Sequence, residues 1–144
     1  MFHTYVFLTK TDTTVGLLSQ DPEALTRIKK RPPHKHYIHA VDSLRTLRSK
    51  GRVPLLHRQR LRRAKRTTFI LPSGHSYRVI DDKRHLLLLS RLKWVYTTSA
   101  NLSGYAYNES FSREHADVII EPLGGESTPS KIYKLGRIAI KRIR

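Results

Sequence analysis

Trp94-Val95-Tyr96-Thr97-Thr98-Ser99-Ala100-Asn101-Leu102-Ser103-Gly104 carries two readings in one continuous run. Trp94 to Thr98 is aromatic and β-branched, the composition of a strand. The second part of the run is a row of small hydroxyl and amide residues ending in glycine. A strand that empties into such a loop offers hydroxyls and backbone N–H groups suited to phosphate oxygens. Taken alone, it reads equally well as an ordinary turn. Trp94 and Tyr96 read as packing residues.

Outward from this run the elements alternate. Tyr5 to Leu8 reads as a strand, and Thr11 to Gly16 as the polar turn leaving it. Polar turns at a strand end are where α/β sheets tend to receive ligands. Asp21-Pro22-Glu23 is a helix start, with an N-cap carboxylate, proline at the first position and an acid in the first turn. That helix turns Leu25 and Ile28 to one face and stops before Pro32. A second helix starts at Asp42 or Ser43, points Leu44 and Leu47 inward and closes at Gly51. Pro54 to Arg66 is expected to form a third, very basic helix. Strands are predicted over Thr67 to Leu71 and Tyr77 to Ile80, then a helix over Lys83 to Leu92 capped by Asp81 or Asp82. The Leu86 to Leu89 run reads as core. Ser110 to His115 is a short helix, and Val118 to Ile120 and Ile138 to Ile140 are strands. Mixed strands and crossover helices of this kind predict an α/β (α+β) sheet domain, and with no linker in view residues 1–144 are expected to form one domain.

The chain has 144 residues, 28 Lys plus Arg against 11 Asp plus Glu, and no cysteine. A disulfide scaffold, a thiol nucleophile and a cysteine-ligated metal are thereby excluded. No apolar run reaches the ~20 residues that span a bilayer, so a soluble, cytoplasmic protein without a membrane partner is expected. The net charge of +17 predicts polyanionic partners, nucleic acid or nucleotide phosphates. It is unevenly placed: Arg27 to Arg66 holds fifteen cations and one acid, Asp42, and Lys131 to Arg144 holds six cations and no acid. Lys29, Arg31 and Lys35, stiffened by Pro32 and Pro33, form an anion-binding segment or a solvated helix end. His34, His36 and His39 are too irregularly spaced, and too far from any carboxylate, to read as a metal site, so no metal held by protein ligands is expected.

In order and content these pieces resemble the YrdC/TsaC family of threonylcarbamoyl-AMP synthases. The matching residues are Thr11-Asp12-Thr13, Lys29-x-Arg31, Ser99-x-Asn101 within Ser-Ala-Asn-Leu-Ser-Gly, and Pro129-Ser130-x-Ile132. The resemblance implies a YrdC-like domain, a twisted, mixed, open β-sheet with flanking helices and a basic concave cleft. It implies an enzyme, a nucleotidyltransferase that combines L-threonine, bicarbonate and ATP into threonylcarbamoyl-AMP for the threonylcarbamoyl-adenosine modification of tRNA, with Mg²⁺ bound through the phosphates. Lys29, Arg31, Ser99 and Asn101 would be catalytic, and Thr11, Lys35, Thr97, Arg78 and Ser130 would bind substrate and ATP. The product would be handed to the TsaD/TsaB/TsaE machinery. The alternative is a non-catalytic module for tRNA, double-stranded RNA or the ribosome, using Arg58, Arg60, Arg62, Arg63, Lys65 and Arg66.

Overall fold

The computed structural model describes residues 4–32, 36–101, 104–124 and 128–144. Strands β1 (Phe7–Lys10), β2 (Val15–Ser19), β3 (Ile38–Val41), β4 (Thr67–Ile70), β5 (Ser76–Val79), β6 (Trp94–Ser99), β7 (Val118–Ile120), β8 (Lys131–Leu135) and β9 (Ile140–Arg142) form one mixed sheet in the order β7-β1-β2-β6-β3-β5-β4-β8-β9. Helices α1 (Pro22–Lys29), α2 (Leu44–Lys50), α3 (Arg58–Arg63), α4 (Lys83–Leu92) and α5 (Glu109–His115) connect them. None of the helices among the described residues is long and apolar enough to cross a membrane.

Local chemistry sets the helix ends. The Asp21 carboxylate accepts from the Glu23 N–H at 3.1 Å, and Lys30 closes α1 in the left-handed conformation. Ser43 accepts from the Thr46 N–H at 3.2 Å, and Asp82 from the His85 N–H at 2.9 Å. Each cap satisfies a donor that has no partner within its helix. The expected third helix is shorter than its basic run: Leu55–His57 is a single 3-10 turn, and α3 ends at Arg63 with Ala64 extended.

Directly opposed residues in a sheet share a face, so the register sorts the core. Phe7, Leu18, Ala40 and Val95 lie on one face, where Leu89 of α4 covers them. On the other face α1 packs Leu25 with Leu8 and Leu17, and α2 and α3 pack Leu47 and Leu61 with Phe69 and Tyr77. Within the leucine run Leu89 is fully buried, whereas Leu87 is 71% exposed, on the solvent side of α4.

Three strands fall where the sequence gives weak signals. β2 contains Gly16, which belongs there for space: a Cβ would stand 2.9 Å from Thr11 Cγ2 and 3.2 Å from the Thr98 carbonyl oxygen. β3 is held between β5 and β6, so pairing on both sides overrides the weak strand preference of His39 and Ala40. β8 pairs in parallel with β4, and β9 folds back on it.

Candidate functional site

The sheet face that carries α4 is left uncovered beyond it, and there it forms the floor of a cavity of about 360 Å³. Ile38, Arg78, Thr97, Ser99 and Ile132 rise from its strands. The Thr11–Thr14 turn, Arg31 after α1, and Ser130 and Arg144 form the rim. The lining holds three guanidinium groups, Arg31, Arg78 and Arg144, and among the described residues it holds no carboxylate. Guanidinium groups and hydroxyl donors converge here, Arg78 being paired from behind with the Asp12 carboxylate, and such an array suits an anion.

Each wall has its own support. Thr11 Oγ1 donates to the Thr14 carbonyl at 2.6 Å and accepts from the Thr13 N–H at 3.2 Å, which fixes the turn. Arg31 Nη2 donates to the His36 carbonyl at 2.8 Å, and its guanidinium lies 4.7 Å from the centroid of the Tyr37 ring. Arg31 Nε and Arg78 Nε are buried without a hydrogen-bond partner. The buried Ser130 and Thr68 hydroxyls share a hydrogen bond of 2.9 Å, and Arg144 Nε donates to the Ser130 carbonyl at 2.9 Å.

Lys29 has a different post. The residue is 3% exposed, and its Nζ donates to the carbonyls of Ser99 and Asn101, both at 2.8 Å, and to Asn101 Oδ1 at 3.2 Å. Ser99 Oγ also donates to Asn101 Oδ1. The sequence pairs Lys29 with Ser99 and Asn101 as ligands of a common substrate. In the structure they come together, with the ammonium tying down the loop after β6 and standing outside the lining of the cleft. Burial, and then the neighbouring Arg31 charge, lower the Lys29 pKa to about 8. Asn101 faces an adjoining cavity of about 520 Å³ with Thr14, Tyr107 and Leu123.

Behind the cleft lies a buried charge cluster. Arg78 Nη2 is 3.2 Å from Asp12 Oδ1, both side chains being 5% exposed, and His85 Nδ1 is 3.8 Å from the same oxygen. Burial raises the Asp12 pKa against the pull of Arg78. Burial, reinforced by Arg78, lowers the His85 pKa to about 3. Between pH 6.5 and 3 the unfolded chain therefore binds a proton on residue 85 that the folded chain refuses, and stability falls as pH falls through that window. Asp12, shifted upward, acts in the opposite sense. His85→Leu is expected to flatten the acid loss, read as a smaller difference between denaturant midpoints at about pH 7 and pH 4. His39, lowered to about 4 by burial, keeps the remaining loss in that variant.

Of the sequence-predicted residues, Thr11, Arg31, Arg78, Thr97, Ser99 and Ser130 line the one cleft. Lys35 and His34 lie outside the described residues. Thr13, Thr14 and Thr98, which belong to the polar segments singled out in the sequence, line it as well. His36 and Arg144 also line it with no ligand signal of their own, the one general sign for Arg144 being the acid-free basic stretch at Lys131 to Arg144. Arg60, Arg62, Arg63, Lys65 and Arg66 are exposed on and after α3, while Arg58 is half-buried. His36 reaches the rim of the cleft, and His39 packs at 4.7 Å on Tyr77 on the opposite sheet face, where His36 also borders the same cavity as His39.

No protein-family model matches the chain. The MG259 homolog of Mycoplasma pneumoniae is 30% identical over 146 residues, covering 92% of this chain, and this chain spans only 30% of that protein. Among solved structures, P. abyssi Sua5 complexed with L-threonine matches with a TM-score of 0.82 and 19% identity, over 97% of this chain and 50% of that one. E. coli YciO matches with a TM-score of 0.75 and 19% identity, over 98% of this chain and 82% of that one.

Proposed function

The chain folds as a YrdC-like domain, and on that premise we propose that it is an L-threonylcarbamoyladenylate synthase acting on ATP, L-threonine and bicarbonate. The observation that carries the reading is the convergence of Arg31, Arg78 and Arg144 with the Thr97, Ser99 and Ser130 hydroxyls in one cleft whose lining, among the described residues, holds no acid. All three substrates are anionic or carry a carboxylate, so bringing them together requires fixed positive charge and oriented donors. A solved structure of the same fold was determined with L-threonine, which supports the choice of co-substrate.

In this reading the threonine amine attacks the bicarbonate carbon, a C–O bond breaks and water leaves to give the carbamate, whose oxygen then attacks the α-phosphorus of ATP as the bond to pyrophosphate breaks. The protein supplies position and charge more than covalent chemistry. Arg31 and Arg144 on the rim would clamp the polyphosphate; Thr97 would donate to oxygens of the phosphate or carbamate, and Ser99 would do so on giving up its bond to Asn101 Oδ1. Lys29 would keep the β6 loop in register for those contacts. With no carboxylate in the lining among the described residues, Mg²⁺ would be held through the phosphates. The test is conversion of labelled bicarbonate into threonylcarbamoyl-AMP, with pyrophosphate released only when threonine and bicarbonate are both present. ATP turnover indifferent to threonine overturns the proposal.

A second reading, RNA binding, rests on a separate surface. Arg60, Arg63 and Lys65 border a groove of about 730 Å³ with Phe69 and Tyr133 on its floor. Exposed cations of this kind bind phosphate backbones with strong salt dependence. Charge reversal at Arg62 and Arg63 is expected to weaken double-stranded RNA binding and reduce its salt slope while sparing adenylate formation. Equal loss of both activities would remove the division between the two surfaces.

A further inference from the structure

The face of the sheet opposite the cleft carries a second cavity, of about 410 Å³, between the segment entering β3, the C-terminal end of α2 and the turn before β5. One wall is aromatic. The His39 ring stacks on Tyr77 at 4.7 Å and 23° and meets Tyr96 at 4.5 Å. Trp94 backs this wall, edge-on to Tyr96 at 5.2 Å. The other wall carries a cation and two imidazoles. Lys50, the last residue of α2, holds its Nζ 3.6 Å from the centroid of the Trp94 ring, and His75 lies 5.3 Å from His36. No acid lines the cavity among the described residues, and no group of His, Asp or Glu there is arranged to hold a metal.

We propose that this cavity is a binding site for a nucleoside monophosphate, with the base against His39 and Tyr96 and the phosphate between Lys50 and His75. Aromatic rings accept any base by its π-face, and an ammonium beside them supplies the charge-assisted contact that a phosphate needs. The volume is that of a small-ligand pocket and suits one nucleotide rather than a strand. His39 Nδ1 is buried with no hydrogen-bond partner, and burial lowers the ring's pKa to about 4, so at neutral pH the imidazole is uncharged. Uncharged, the ring can pack against a base as a neutral aromatic surface. The cavity shares only His36 with the cleft and does not depend on the synthase reading.

Trp94 is the single tryptophan of the chain and touches Lys50, so its fluorescence reports this site. AMP, adenosine and inorganic phosphate are titrated separately into the full chain, with calorimetry as an independent measure. AMP is expected to produce a saturable change, with adenosine and phosphate each at least about tenfold weaker. Lys50→Glu, at an exposed helix end, is expected to weaken AMP about tenfold or more and to leave adenylate formation unchanged. Arg144→Ala, in the cleft, is expected to leave the Trp94 response to AMP as it was. The proposal is overturned by the absence of a saturable Trp94 response. Equal responses to AMP and adenosine overturn it too, as does a single-stranded RNA that binds where AMP does not. A response lost in Arg144→Ala but kept in Lys50→Glu would put the nucleotide in the cleft and also overturn it. Failure of threonine-dependent turnover leaves all these readouts in place, so the two claims fail separately.

Discussion

Arg31→Ala is expected to lower threonylcarbamoyl-AMP formation by about 10²–10³-fold, the loss typical of removing one preorganised donor from a charge-stabilising site. Its thermal midpoint should move by only a few degrees. The guanidinium is already held by the His36 carbonyl and the Tyr37 ring, and its Nε has no partner. Among the described residues its side-chain contacts with the fold are one hydrogen bond and one cation–π contact, about 1–2 kcal/mol together. Its larger value emerges only with a polyanion in the cleft. Arg31→Lys keeps the charge without the planar fork, so an intermediate rate is expected. Labelled bicarbonate with ATP and threonine gives the rate, and thermal unfolding followed by circular dichroism gives the midpoint. Turnover unchanged in both variants would remove Arg31 from the reaction.

The helices were legible in the sequence because their signals are local. Asp21-Pro22 announces α1 and the Asp81-Asp82 pair announces α4 within one turn; Asp21 forms the first cap, and of the pair it is Asp82 that forms the second. Ser99 and Asn101 were legible as a polar loop because hydroxyl and amide residues directly follow a strand, but of the two only Ser99 lines the cleft, while Asn101 Oδ1 accepts from Lys29 and Ser99. What could not be read is which charges are buried. Lys29, Arg31 and Arg63 lie in the same basic block, yet the first is an internal tie, the second lines the cleft and the third faces solvent on another surface. Those differences depend on where β3 and β6 place the end of α1, which is a property of the sheet order. Arg144 was equally hidden. It reaches the cleft because the Ile132 N–H donates to its carbonyl at 3.0 Å across the returning hairpin, which puts it beside Ser130.

The largest stability effect is expected at the pair behind the cleft. Arg78→Met leaves the Asp12 carboxylate buried without its cation, and breaking a buried pair from one side costs about 3–5 kcal/mol. Arg78 comes from β5 and Asp12 from the turn after β1, so the damage would fall on the joint between the cleft's rim and its floor. Adding Asp12→Leu removes the stranded charge, and apolar replacement of a whole buried pair is often close to neutral. The double variant should therefore regain most of the lost stability, a non-additivity of several kcal/mol when the two singles and the double are compared by denaturant unfolding. It should not regain adenylate formation, because the cleft then lacks one of its three guanidinium groups. A double variant as unstable as Arg78→Met would mean that Arg78 acts through its packing and not through its charge. One that is stable and fully active would mean that Arg31 and Arg144 hold the substrate without it.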